Sequence, residues 1–379
     1  MAEMTRRERI LKASHREKVD RLPFFHNWRH MQTGWAEREA RNRVMGISWA
    51  RPSYVTKIHD VDISEQWLKK DGQTVYHRVF TTPVGTVYQD EMRAPGTGQW
   101  HGMRGWNDIT PWCTARLIKE PEDYKVVKFI VEHTEYIADY FPLEQAKDWL
   151  GDEGVVMDVQ PHQPMQTLMI DWVGSEGGRF FIHHARYLDL VEDLCQAIAK
   201  SREPMYEIGA KSPADVIWCG DNIDGVLVNP RLYGKYFLPE YEKMARICHK
   251  HGKLLASHMD GRVRVLKDLI ARTPLDIIEA LHPPPLGDLS IGEALKAWPD
   301  KVIWVGFPGS VYTMGPKATR EHALNLLRDV IPGERLCLEA STENIVSNEN
   351  LLTLTSVLEN AELPLTAAKI DRIEKALKR

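Results

Sequence analysis

The chain is poor in the features that mark several large protein classes. It has five cysteines in 379 residues (Cys113, Cys195, Cys219, Cys248, Cys337), and no two are spaced as CxxC. That excludes a disulfide framework and fits a reducing compartment. No apolar run approaches the length of a membrane span, and the first segment, "MAEMTRRERILKASHREKVDRLP", has charges where a signal peptide has its apolar core. A soluble, cytoplasmic protein is expected. No basic block stands out: 49 basic and 53 acidic residues are interspersed, for a net charge of −4. Nucleic acid and membrane surfaces are therefore not expected partners. No GxGxxG follows the first predicted strand, which removes the usual signature of a dinucleotide-binding sheet. Low-complexity tracts and solenoid-type repeats are also missing.

What is present is ample apolar material, 43% of residues, and twelve tryptophans. Tryptophan serves as core filler more often than as the lining of a ligand cavity. Residues 5–17 read as an amphipathic helix, and "LPFFHNW" (22–28) as a strand. An irregular, tryptophan-bearing region follows. A β-hairpin is expected over 73–92, with Pro83 and Gly85 at its turn, and a helix over 120–141. From residue 154 the order is regular. Strands are predicted at 154–161, 214–222, 253–261, 275–285, 301–309 and 334–342, each followed by a helical segment. Short, nearly continuous apolar runs alternating with helices predict a parallel sheet covered by helices. The fold class that fits is α/β, a (β/α)8 barrel with N-terminal helical and hairpin additions. One domain is expected over 1–379, with the first strand and insertions in 1–150 and regular βα units in 151–379.

Chemistry-bearing residues gather at the C-terminal ends of these strands. His26 and Trp28 end the first. Trp218, Asp221 and Asn222 end "VIWCGDN". His258 and Asp260 end "LLASHMDG", two residues apart and so on one strand face. Glu279 and His282 end "IIEALHP", Phe307 ends "KVIWVGF", and Glu343 lies in "ASTEN". In a (β/α)8 barrel those ends converge on one mouth, where active sites form. Each residue alone has an ordinary structural explanation: a satisfied histidine, a turn cap at Asp221 and Asn222, a first-turn helix carboxylate at Glu343, an aromatic core residue. Glu279 follows two isoleucines, and a buried carboxylate needs a partner.

With these residues in view, the chain resembles the uroporphyrinogen decarboxylase superfamily, and within it the corrinoid-dependent methyltransferases and O-demethylases. The resemblance rests on "MTRRERILKASHREKVDRLP", "TPVGT" (82–86), "IKEPEDYKVVKFIVEHT" (118–134), the segment "GDNIDGVLVNPRLYGKYFLPEYEKMARICHKHGKLLASHMDG" (220–261) and "ASTENI" (340–345). It implies a barrel fold and a metal-dependent methyltransferase. Zinc enzymes of this superfamily end one strand with His-x-Cys and carry a second Cys after the last strand. His258 matches the histidine, while Asp260 and Glu343 stand where the two cysteines would be. Ligand charge is unchanged, and the site becomes harder while remaining suited to zinc or another divalent metal. Glu279 and Cys337 stay open as alternatives to Glu343.

A hard site suits an oxygen leaving group, as in O-demethylation of a methoxylated aromatic. The acceptor would be a Co(I) corrinoid on a separate protein, since this chain has no corrinoid-binding Asp-x-His-x-x-Gly. The expected partners are that corrinoid protein and a small-molecule methyl donor, with a homodimer left open. Asp221 and Glu279 are the candidate catalytic groups. His26, Trp28, Trp218, Asn222, His282 and Phe307 are the candidate substrate contacts. Two alternatives compete: a metal-independent decarboxylase or lyase with Asp221 as acid/base, and a barrel that binds a ligand without turnover. Uroporphyrinogen decarboxylase itself is disfavoured, because its arginine-rich substrate motif is not matched by "FFHNWRHMQTGW" and the rim is rich in carboxylates.

Overall fold

The short apolar runs form strands because their Val, Ile and Trp side chains fill both the barrel interior and its helical coat. A computed structural model describes residues 3–31, 33–92, 112–340 and 346–377. Its strands are β1 (Phe24–Asn27), β2 (Gly46–Arg51), β3 (Tyr54–Ile58), β4 (Asp62–Lys70), β5 (Gln73–Thr82), β6 (Gly85–Met92), β7 (Trp112–Ala115), β8 (Thr134–Ala138), β9 (Gly154–Gln160), β10 (Val216–Cys219), β11 (Leu254–His258), β12 (Ile277–Leu281), β13 (Val302–Gly306) and β14 (Leu336–Glu339). Eight of them close a parallel barrel in the order β1-β14-β13-β12-β11-β10-β9-β2, with β2 returning to β1. The expected (β/α)8 architecture is thus present.

Two sequence expectations need correction. The region after β1 is not irregular: it holds a helix, Trp35–Arg43, and the barrel strand β2. β2 escapes notice because only Ile47 and Trp49, which face the helices, are large and apolar, while Gly46, Ser48 and Ala50 alternate with them. The helix expected over 120–141 stops at Glu132. His133 Nδ1 and Thr134 Oγ1 turn back onto the carbonyls of Phe129 and Ile130, at 2.8 and 2.7 Å. The chain then extends as β8, antiparallel to β3. The hairpin expected over 73–92 is present as β5 and β6, joined at Pro83-Val84, within the antiparallel sheet β4-β5-β6-β7.

Strand alternation divides the barrel residues into two sets. Phe25, Val155, Met157, Val216, Ala256, Ile277, Val302, Trp304 and Cys337 fill the interior. The helix Arg6–Ser14 closes the N-terminal end with Ile10 and Ala13, and is set by a Thr5/Glu8 capping box. Trp304 Nε1 donates to Ser14 Oγ at 3.2 Å, and the Phe25 ring meets Trp304 edge-on at 4.9 Å. Fully burying each such large side chain contributes about 1.5–3 kcal/mol.

The alternate residues face the helices, and one is a carboxylate. Asp158 on β9 is fully buried. Gln160 Nε2 donates to it. Gly209, in the helix Glu203–Lys211, leaves room for this pair: a Cβ there would lie 2.8 Å from Gln160 Nε2. Burial pushes the Asp158 carboxyl up to about 7, against the opposing pull of Ser53, Gln160 and Lys253.

Candidate active site at the barrel mouth

Two residues beyond the apolar interior, the same strand face reaches the C-terminal rim. From Phe25, Val216, Ala256, Ile277, Trp304 and Cys337 that step leads to Asn27, Trp218, His258, Glu279, Gly306 and Glu339. All six border one cavity of about 940 Å³. The site is therefore the next layer of the barrel core, with polar side chains in place of aliphatic ones.

His258 is its centre. β11 and β12 pair in parallel with His258 opposite Glu279. His258 Nδ1–H donates to Glu279 Oε2 at 2.6 Å, and Trp218 Nε1–H donates to the same oxygen at 2.7 Å. On the other side of the ring, Nε2 lies 3.5 Å from Asp260 Oδ2. The Trp218 ring stands edge-on to the imidazole at 6.0 Å. Burial disfavours a charge on His258, but Glu279 and Asp260 outweigh it and hold the imidazolium well above the usual histidine range. Burial also works against the Glu279 carboxylate, and His258 outweighs it, keeping Glu279 below its ordinary value. Glu339 hydrogen-bonds Glu279 as well. Two carboxyl groups can bond in this way only when one carries a proton.

The backbone after Glu279 departs from a regular strand. Ile278 pairs with Ile303 and Leu281 with Val305, so β12 has one more residue than β13 over this stretch. The extra residue is absorbed at Ala280, at φ +54°, in the left-handed region that L-residues rarely occupy. The bulge switches the inward set, and His282 joins Glu279 on the cavity wall although they are three residues apart. Gly306 makes room for it: a Cβ there would lie 2.5–2.8 Å from three atoms of the His282 ring.

A second polar group lies on the wall two strands away. His162 follows β9, and its Nδ1 lies 2.8 Å from Asp171 Oδ2. The side-chain nitrogen of Asn222 is 3.3 Å from His162 Nε2. The outer wall comes from the added sheet, through Gln89, Glu91 and Cys113, and from Arg29 and Arg116.

Of the residues singled out from sequence, the structure brings Trp218, Asn222, His258, Asp260, Glu279 and His282 to this cavity. It places four others elsewhere, and alternation is the reason. His26 is one residue out of phase with Asn27; it is buried, with Nδ1 2.9 Å from the Asn27 carbonyl. Trp28 stacks on Trp49 at 4.8 Å. Phe307 packs against Tyr312 and His322. Asp221 is fully buried behind the wall, where it accepts from Gln163 N–H at 2.8 Å, Tyr241 O–H at 2.7 Å and Ser257 O–H at 3.1 Å. Burial pushes its carboxyl up. Its position is that of a brace for the loop after β10 rather than of a group open to substrate. Cys337 sits a layer below the rim near Ser14, its thiol pushed up by burial, so it is no neighbour of His258. Glu343 lies outside the described residues.

Glu339, His162 and Asn27 were not anticipated. Glu339 had a signal: a carboxylate inside the buried run "LCLE", in phase with Cys337. His162 had only its place just past a strand end.

No family model matches the chain, and no curated protein does. Solved structures do match. One is a methyltransferase from Methanosarcina mazei, with a TM-score of 0.55 and 12% identity over 98% of this chain and 100% of the other. At that identity the likeness is one of fold. Among the described residues, no three His, Cys, Asp or Glu side chains are grouped as metal ligands, and no helix is long and apolar enough to cross a membrane.

The pair His258–Asp260 nonetheless fits two places on a metal. Ligands bound at about 2.1 Å in a tetrahedral site are about 3.4 Å apart. The 3.5 Å between Nε2 and Oδ2 is long for a hydrogen bond and matches that edge. Glu279 on Nδ1 is the carboxylate that commonly orients a metal-bound histidine.

Proposed function

We propose that the protein is a methyltransferase that takes the methyl group of a small methoxylated aromatic and passes it to the Co(I) corrinoid of a separate protein. His258 and Asp260 would hold a divalent metal, zinc first, with Glu343 as the third ligand. The observation that carries this is the orientation of His258, with Nδ1 fixed by Glu279 and Nε2 facing Asp260 on a cavity wall. The barrel architecture shared with a methyltransferase supports it as an analogy of fold. Val226, Val265, Leu286 and Met314 are exposed apolar side chains on the loops after β10, β11, β12 and β13, which suits a partner seated over the mouth.

The chain's own residues have distinct tasks. Glu279 accepts the Nδ1 proton and so leaves Nε2 facing the cavity. Trp218 fixes Glu279 through its indole N–H and offers apolar area to an aromatic ring. The cavity walls would orient the ether carbon towards an incoming nucleophile. A bound divalent cation would supply Lewis-acid stabilisation of the charge that develops on the departing oxygen.

Zinc content of the purified protein, before and after His258→Ala, and methyl transfer from a panel of methoxyarenes to a reduced corrinoid protein test the two halves. Stoichiometric metal lost in the variant, and transfer by the wild type, are expected. No bound metal, or no transfer from any donor, would sink the corresponding half. The two carboxyl groups of Glu279 and Glu339 on one cavity wall favour a second reading, metal-independent proton transfer in a decarboxylase or lyase. Activity that survives chelation would select it.

A further inference from the structure

We propose that His162, positioned by Asp171, is a catalytic acid that delivers a proton to the oxygen that leaves when the methyl group is transferred. This rests on the reaction proposed above. Both residues border the cavity, and their 2.8 Å contact points His162 Nε2 away from Asp171, towards Asn222. The histidine is held from behind. Arg202 and Thr167 donate to its carbonyl, at 2.6 and 3.1 Å. Asp171 lies in a π-helical turn, Thr167–Trp172, a wide turn common at functional sites. Asn222 tolerates both protonation states of the ring, since its side-chain amide can present nitrogen or oxygen to Nε2.

The placement suits the proposed substrate. β10 lies between β9 and β11, so His162 and His258 stand about two strand spacings apart, or about 10 Å. An aromatic ring with its ether oxygen fits between them, against Trp218. The groups facing His162 are Asp171, Asp221 and Arg202. Burial and Arg202 pull its proton affinity down, Asp171 and Asp221 raise it, and the balance favours the protonated ring.

In the step, the acceptor's electron pair forms the new bond to the methyl carbon. The carbon–oxygen bond breaks, and its pair stays on oxygen. The Nε2 proton of His162 moves to that oxygen, a neutral phenol leaves, and the neutral imidazole recovers a proton from solvent. Asp171, part-exposed, holds the ring in place throughout. General acid catalysis of this kind is worth about 10²–10⁴-fold, and most where the leaving group is poor.

The test is methyl transfer from methoxyarenes, from unactivated anisoles to nitro-substituted ones, to free cob(I)alamin made with a chemical reductant. Zinc-supplemented wild type, His162→Asn and Asp171→Asn are compared over pH, with circular dichroism and zinc content confirming that each variant is folded and loaded. We expect His162→Asn to lose about 100-fold on anisoles, to stay close to wild type on nitro-substituted donors and to lose the alkaline limb of the pH profile. Asp171→Asn should move that limb to lower pH, and NMR of the His162 ring should show the same shift without substrate. Parallel leaving-group dependence in wild type and His162→Asn would overturn the pair alone. A wild type silent on every donor would overturn the pair together with the proposed reaction.

Discussion

Replacing Asp158 with Asn tests the electrostatics of the barrel's outer face. The carboxyl is fully buried between β9 and the helix Glu203–Lys211, with Gln160 Nε2 as a hydrogen-bond donor. Burial pushes it up from the ordinary 3.8 to about 7. A carboxyl whose pKa is raised by folding adds nothing unfavourable below the unfolded value, where both states are protonated. As pH rises from about 4 to about 7, the unfolded chain ionises freely while the folded one holds its proton, so stability falls. The loss levels off as pH passes beyond the folded value of about 7. The rise from 3.8 to about 7 corresponds to about 4 kcal/mol. Asn keeps the shape and never ionises. The variant's stability, measured by equilibrium urea unfolding, should match wild type near pH 4 and exceed it increasingly up to pH 8, by a few kcal/mol. Other groups titrate alike in both chains and cancel in the difference. A pH-independent difference would show that Asp158 ionises as easily folded as unfolded, and the burial argument would fail.

Three further outcomes are expected. Gly306→Ala should displace the His282 ring, cost about 1–3 kcal/mol by overpacking and lower methyl transfer; unchanged stability and activity would mean that the ring has room. Asp221→Ala should leave the Gln163 N–H and one of the mutually bonded Tyr241 and Ser257 hydroxyls unmatched and destabilise by about 2–5 kcal/mol in urea, with activity per folded molecule largely kept. Loss of activity without loss of stability would return Asp221 to the catalytic machinery. Ala280→Val should destabilise by about 1–3 kcal/mol, because a β-branched residue resists the left-handed conformation, whereas Ala280→Gly should unfold close to wild type.

The barrel was legible because its strands are apolar runs separated by helices, and β2 was hidden because half of its residues are small. The rim was legible as a place: strand ends converge, and polar residues at those ends stand out against aliphatic neighbours. Which of them face inward follows from a period of two. That rule places His258 with Asp260 and, extended to every strand, also separates Asn27 from His26 and Asn222 from Asp221. Glu339 follows from the same rule. His282 does not, because a bulge at an ordinary alanine reverses the phase, and nothing in "IIEALHP" announces it. His162 meets Asp171 through a π-helical turn that leaves no pattern in local composition.

The strand order has a consequence for how the molecule is made. β1 lies between β2 and β14, and more than half of the chain must be synthesised after β2 before β14 arrives. Until then the growing sheet is an open ribbon with β1 at one unpaired edge and the newest strand at the other. The helix Arg6–Ser14 lacks its full seat for as long, since Trp304 and Cys337 complete the interior cluster it covers. Closure pairs residues hundreds of positions apart, a slow topology, and open edges invite pairing with other chains. Chains stopped before β14 should aggregate where the full chain folds, and a helper that shields sheet edges during synthesis should matter most between β13 and β14.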